Sequence, residues 1–113
     1  MKIYLSADLE GICGVVDVEH TRRDGREHDR ARKWMVQEVN AAVEGALKAG
    51  AEKGNIIMVD SKGILNTQRK DIESQKDFNP YKWDMCINAN RGQRIGGIKE
   101  ALKDVDIVIA ASR

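Results

Sequence analysis

What this chain lacks bounds it first. Its 113 residues include one proline, Pro80, and two cysteines, Cys13 and Cys86. The cysteines lie far apart with no CxxC pairing, so they read as reduced, packed thiols rather than a disulfide framework or a metal knuckle. An excess of one charge is missing too: 19 basic against 18 acidic side chains leave a formal net charge of +1. That excludes the strongly basic footprint of a nucleic-acid binder. No apolar run approaches the roughly 20 residues of a membrane span. The opening "MKIYLSADLEG" is broken by Asp8 before it could form the apolar core of a signal peptide. A soluble protein in the cytoplasm, with neither nucleic acid nor membrane as partner, is the expectation. The phosphate fingerprints are absent as well: no GxGxxG follows the first apolar stretch and no GxxxxGK(S/T) occurs anywhere. Repeats, linkers and low-complexity tracts are missing, and the length suits one domain over residues 1–113.

What is present alternates between two periods. "KIYLSA" (2–7), "NIIMVD" (55–60) and "VDIVIAA" (105–111) are short runs rich in Ile and Val, the pattern of strands covered on both faces. "DMCINA" (84–89) is read as a fourth, weaker strand. Over residues 27–49, Ala31, Met35, Val39, Ala42, Val43, Ala46 and Leu47 recur at the three-and-four spacing of one helix face, with Gly50 to end the helix. A second helix is expected over 93–103, where Ile95, Ile98 and Leu102 form a stripe and Gly96 and Gly97 weaken the first turn. Residues 61–82 are read as loop, with a helical turn near 67–76. The alternation predicts an α/β domain: a mainly parallel sheet of about four strands with flanking helices, a Rossmann-like three-layer arrangement.

In open parallel sheets, ligands gather beyond the C-terminal strand ends. Asp8, Glu10 and Asp60 sit at such ends, so folding is expected to draw three carboxylates toward one edge. Clustered anions call for a cation, and hard oxygen ligands suit Mg²⁺, Mn²⁺ or Zn²⁺. The bland reading stands beside this one, since acidic residues often do no more than cap or solvate a loop. His20 and His28 follow the first strand and read as surface residues ahead of ligands. Lys62, in "DSKG", is either a solvated turn residue or an ammonium that neutralises the acidic edge, and the counter-ion role ranks above a catalytic one. "NRGQRIGG" (90–97) leaves open an anion contact through Arg91 and Arg94.

Four segments carry a resemblance: "MKIYLSADLEGICGVVD", "RARKWMVQEVNAAVEGALKAGA", "IIMVDSKG" and "GIKEALKDVDIVIAAS". In that order and spacing they are similar to the N-terminal part of the zinc-dependent D-aminopeptidases, the dipeptide-transport-associated peptidases. The resemblance implies metallo-aminopeptidases acting on D-amino-acid peptides at a two-zinc site, assembled as stacked rings around a channel. It also implies metal-ligand positions for Asp8 and Glu10, with Asp8 bridging. The departures fall on the other ligands. Lys62 stands where the family pattern Asp-Ser-His-Gly has its histidine, and Ser112 stands where Gly-Tyr-His has another. The family's further glutamate ligand and its catalytic histidine correspond to positions past residue 113. A protonated ammonium has no lone pair to donate and a serine hydroxyl is a poor zinc ligand, so zinc is expected to bind weakly or not at all. The resulting expectation is a domain inactive alone, whether a fragment, an engineered version or a degenerate relative, with Asp60 supporting the strand end. The competing expectations are a peptidase that completes its site by self-association, a Mg²⁺-dependent phosphoryl-transfer domain, and a scaffold without chemistry.

Overall fold

The computed structural model describes residues 1–111. Strand β1 (Ile3–Ala7) runs into a 3-10 turn at Leu9–Gly11, a short helix α1 (Val18–Thr21) and the long helix α2 (His28–Lys48). Strand β2 (Ile56–Asp60) follows, then a two-residue strand β3 (Gly63–Ile64). Helices α3 (Lys70–Glu73), α4 (Pro80–Asn88) and α5 (Ile98–Ala101) lead to strand β4 (Ile107–Ala111).

The four strands lie in the order β3-β2-β1-β4. β2 and β4 flank β1 in parallel, with Ile3 opposite both Ile56 and Ile107, whereas β3 folds back antiparallel on β2. The expected α/β class and mainly parallel sheet are what the chain adopts. The chain leaves β1 toward β2 and later returns to its other side at β4. The crevice at the C-terminal end of β1 is therefore the switch point of the sheet.

Strand alternation divides the core in two. Ile3, Leu5 and Ile56 face Ile72 of α3, Met85 and Cys86 of α4, and the Val39, Ala42, Val43 and Ala46 stripe of α2. Tyr4, Ile57, Val59 and Ile64 face Ala101 of α5 and Val105. The layers are unequal, because the first face carries three helices and the second a single four-residue helix among the described residues.

Two expected elements are corrected. Residues 84–89 belong to α4 and its C-cap rather than to a strand. Asn79 accepts the Lys82 N–H at 3.2 Å and Pro80 opens the helix, a start signal that outweighs a short apolar run ambiguous by itself. The fourth strand is instead β3, inside the segment read as loop. The helix expected over 93–103 shrinks to Ile98–Ala101: Gln93 has φ 46° and Gly96 φ 120°, so the backbone turns away before it can coil. Its stripe stays outside, with Ile95, Ile98 and Leu102 exposed and Ala101 buried in their place.

Candidate functional site

β1 ends by handing two carboxylates to solvent. Asp8 keeps an extended backbone (φ −133°, ψ 144°), and its N–H donates to the Ala111 carbonyl at 2.8 Å, so the β1–β4 pairing reaches to the rim. The 3-10 turn that follows carries Glu10. Behind it, Ile12 is buried and the Cys13 N–H donates to Glu38 Oε1 of α2 at 2.8 Å, anchoring the loop. Asp8 and Glu10 are exposed, and among the described residues neither side chain makes an ion pair or hydrogen bond. Water screens their repulsion.

Asp60, at the end of the neighbouring strand, is built into the opposite situation. Its Oδ1 accepts the Lys62 N–H at 2.9 Å and Arg69 Nη1 at 3.1 Å, and its Oδ2 accepts Arg69 Nη2 at 2.9 Å and Lys82 Nζ at 2.6 Å. Arg69, 13% exposed at its side chain, uses all five of its N–H donors. Besides Asp60 it reaches both oxygens of Asp71 at 2.8 Å and the Gly63 carbonyl at 3.2 Å. Burial pushes the Asp60 carboxyl up, but hydrogen bonds from Arg69 and Lys82 outweigh it and hold the pKa down at about 2. The same guanidinium holds Asp71 below the ordinary carboxylate range.

The expected gathering of three carboxylates at one edge does not form. Val59 lies on the Tyr4 face of the sheet, so Asp60 projects to the helix-covered face, while Asp8, two residues past Ser6 in extended backbone, projects to the other. Lys62 does not neutralise Asp8 and Glu10. It occupies the turn between β2 and β3 with a side chain 70% exposed, and its Nζ lies 3.7 Å from Asp71. His20 is buried rather than on the surface: its Nδ1 accepts the Asp17 N–H at 3.2 Å in a capping box, and its ring tilts against Trp34 at 5.7 Å. His28 begins α2. Cys86 is a buried free thiol whose pKa burial raises, whereas Cys13 is free and exposed. Ser112 lies outside the described residues. Among those residues, no three His, Cys, Asp or Glu side chains converge on a point that could hold an ion.

Arg69, Asp71 and Lys82 were missed from sequence. Asp60 and Arg69 are nine residues apart across a loop, a spacing without any period to reveal it. Beside this network, Lys62, Ile64, Asn66, Arg69 and Ile95 line an open depression of about 300 Å³.

A parallel-rich sheet with exposed carboxylates at its switch point defines an α/β domain of the open-sheet kind. The D-aminopeptidase peptidase family matches residues 1–74, and the chain belongs to that family of hydrolases. A D-aminopeptidase of Bacillus subtilis (strain 168) is 32% identical over 66 residues, 58% of this chain. The chain spans 23% of that relative's length. No solved structure matches it. Among the described residues, no helix is long and apolar enough to cross a membrane.

Proposed function

We propose that this chain is the strand-one module of a D-aminopeptidase-type hydrolase and that, of the family's zinc-ligand positions within residues 1–113, it keeps Asp8 and Glu10. By itself it holds zinc weakly and hydrolyses no D-amino-acid peptide. The observation that carries this reading is the position of Lys62. In the family pattern its place belongs to a ligating histidine; here the residue is an exposed ammonium turned toward Asp71. Asp60 cannot replace it, because four donors already occupy its carboxylate. Two exposed carboxylates fall short of the three or four ligands of a protein zinc site, so the residues present do not fit a two-zinc centre. Two free cysteines suit a reducing, cytoplasmic setting. Self-association belongs to the same proposal, through the open edge of β4.

The test is to restore the imidazole. Lys62→His should tighten zinc binding, measured by calorimetry, by about tenfold or more, and Asp8→Ala in that background should abolish the gain. Release of p-nitroaniline from D-alanyl-p-nitroanilide by the unmodified chain with added zinc should stay at background. Stoichiometric zinc retained after dialysis, or turnover that Asp8→Ala removes, would mean that the ligand set is complete as it stands.

A further inference from the structure

At the opposite end of the sheet from Asp8, the strand N-termini surround a second depression of about 250 Å³. Lys2, Arg91 and Arg94 line it together with Gly54 and Gly92, and no acidic residue does. Three cations around one concavity repel one another, with Glu52 offsetting Arg91 alone, and concave walls concentrate their field on an entering anion.

The loop that presents these groups is firmly held. Asn90 is buried, with φ 46°, and its side chain donates to the Leu65 and Arg94 carbonyls at 3.1 and 2.9 Å while accepting the Arg94 N–H at 2.9 Å. Gln93 accepts both the N–H and the hydroxyl of Thr67 at 2.8 Å. The Arg91 N–H donates to the Gly54 carbonyl at 2.7 Å, tying the loop to the chain just before β2. A Cβ on Gly54 would stand 2.8 Å from Arg91 Nε, so a side chain there would force the Arg91 guanidinium to shift.

The donors are largely free. Arg94 Nη1 donates to the Glu100 and Lys103 carbonyls at 3.0 and 2.6 Å, which fixes the guanidinium, and its remaining donors have no partner among the described residues. Lys2 Nζ likewise has none. The nearby carboxylates are Asp106, which accepts the Lys2 backbone N–H at 2.7 Å, and Glu52, which pairs with Arg91. Glu52 meets Arg91 through one oxygen on one terminal nitrogen, which leaves the other Arg91 side-chain donors without a partner among the described residues.

We propose that this depression is an anion site for a phosphate-type dianion, free or as the monoester of a small organic group, with Glu52 as a competing internal anion. The site shares no residue with the strand-end carboxylates, and its test is independent of zinc.

Amide chemical shifts of Gly54, Arg91 and Gly92 would be followed during titration with sodium phosphate, against sodium chloride at matched ionic strength. Saturation in about the millimolar range or tighter is expected for phosphate alone. Arg91→Gln and Lys2→Gln should each weaken binding about fivefold or more, and Glu52→Gln should strengthen it about threefold by freeing Arg91. Asp8→Asn should leave it unchanged. A parallel titration with glycerol 3-phosphate names the source: tighter binding of the ester points to an organic phosphate, tighter binding of the free ion to inorganic phosphate, and either supports the site. Shifts that never saturate, that chloride reproduces, or that survive in both the Arg91→Gln and Lys2→Gln variants with unchanged folds would overturn it.

Discussion

Asp60 and Asp8 end adjacent strands, yet one is surrounded by donors and the other by water. The difference shows in how each responds to acid. The folded Asp60 carboxyl titrates at about 2, below its ordinary value of 3.8, because burial is outweighed by Arg69 and Lys82. With the folded pKa below the unfolded one, its contribution is full above about pH 4 and fades as pH falls through about 2. The gap corresponds to about 2 kcal/mol, and the side chain is only 21% exposed, so solvent screening is modest. Asp60→Asn is therefore expected to lower the urea-unfolding free energy by about 2 kcal/mol at neutral pH and to converge on the parent near pH 2. A deficit that stays constant across that window would show that Asp60 is not the group titrating. The place of both acids was legible from the strand-then-carboxylate pattern. Their partners were not: reading the Lys62 side chain as the counter-ion overlooked Arg69, which commands five donors against the three of an ammonium. Sequence spacing also says nothing about which sheet face each acid takes until the register of Ser6 against Val59 is known.

Among the elements, the β2–β3 hairpin does the positioning. Asp60 Oδ1 receives the Lys62 N–H at 2.9 Å, which closes the turn, and Gly63 then takes φ 124°, a conformation that side-chain-bearing residues rarely adopt. The space there is also filled. A Cβ on Gly63 would stand 2.6 Å from the Gly96 carbonyl oxygen, which accepts the Ile64 N–H at 2.8 Å. Gly63→Ala should cost about 2 kcal/mol or more, the sum of backbone strain and a contact with rigid backbone. Faster amide exchange at Ile64 should accompany the loss, and an unchanged urea midpoint would show that this contact is dispensable. Elements of this length are where sequence reading failed. α2, with six turns of consistent stripe, and the Ile and Val runs of β1, β2 and β4 announced themselves. A two-residue strand carries no period at all, and the apolar run in α4 fits either period until Asn79 and Pro80 are read as a helix start.

For the molecule as a whole, the decisive feature is the asymmetry of the sheet. β3 closes one side as a two-residue strand beside the Arg69 network, a short edge that resists further pairing. β4 is the reverse: five residues, IVIAA, with no proline, no lysine and, among the described residues, no partner beyond β1. Ile107 is 41% and Val108 55% exposed, and Val108 shares the sheet face on which α5 packs chiefly over β2 and β3. An edge with free N–H and C=O groups along one side and apolar side chains on both faces is a template for another strand. A second copy is the occupant that needs no outside partner, and antiparallel pairing of β4 with its counterpart about a two-fold axis would continue the sheet across both molecules. Sedimentation velocity should then show association that grows with concentration. Val108→Lys should shift the distribution toward monomer, since a charge on an edge strand opposes pairing, while changing the stability of the single chain by no more than about 0.5 kcal/mol at so exposed a position. A single monomeric species at every concentration, or association that Val108→Lys leaves untouched, would remove β4 as the contact and with it the self-association part of the proposed function.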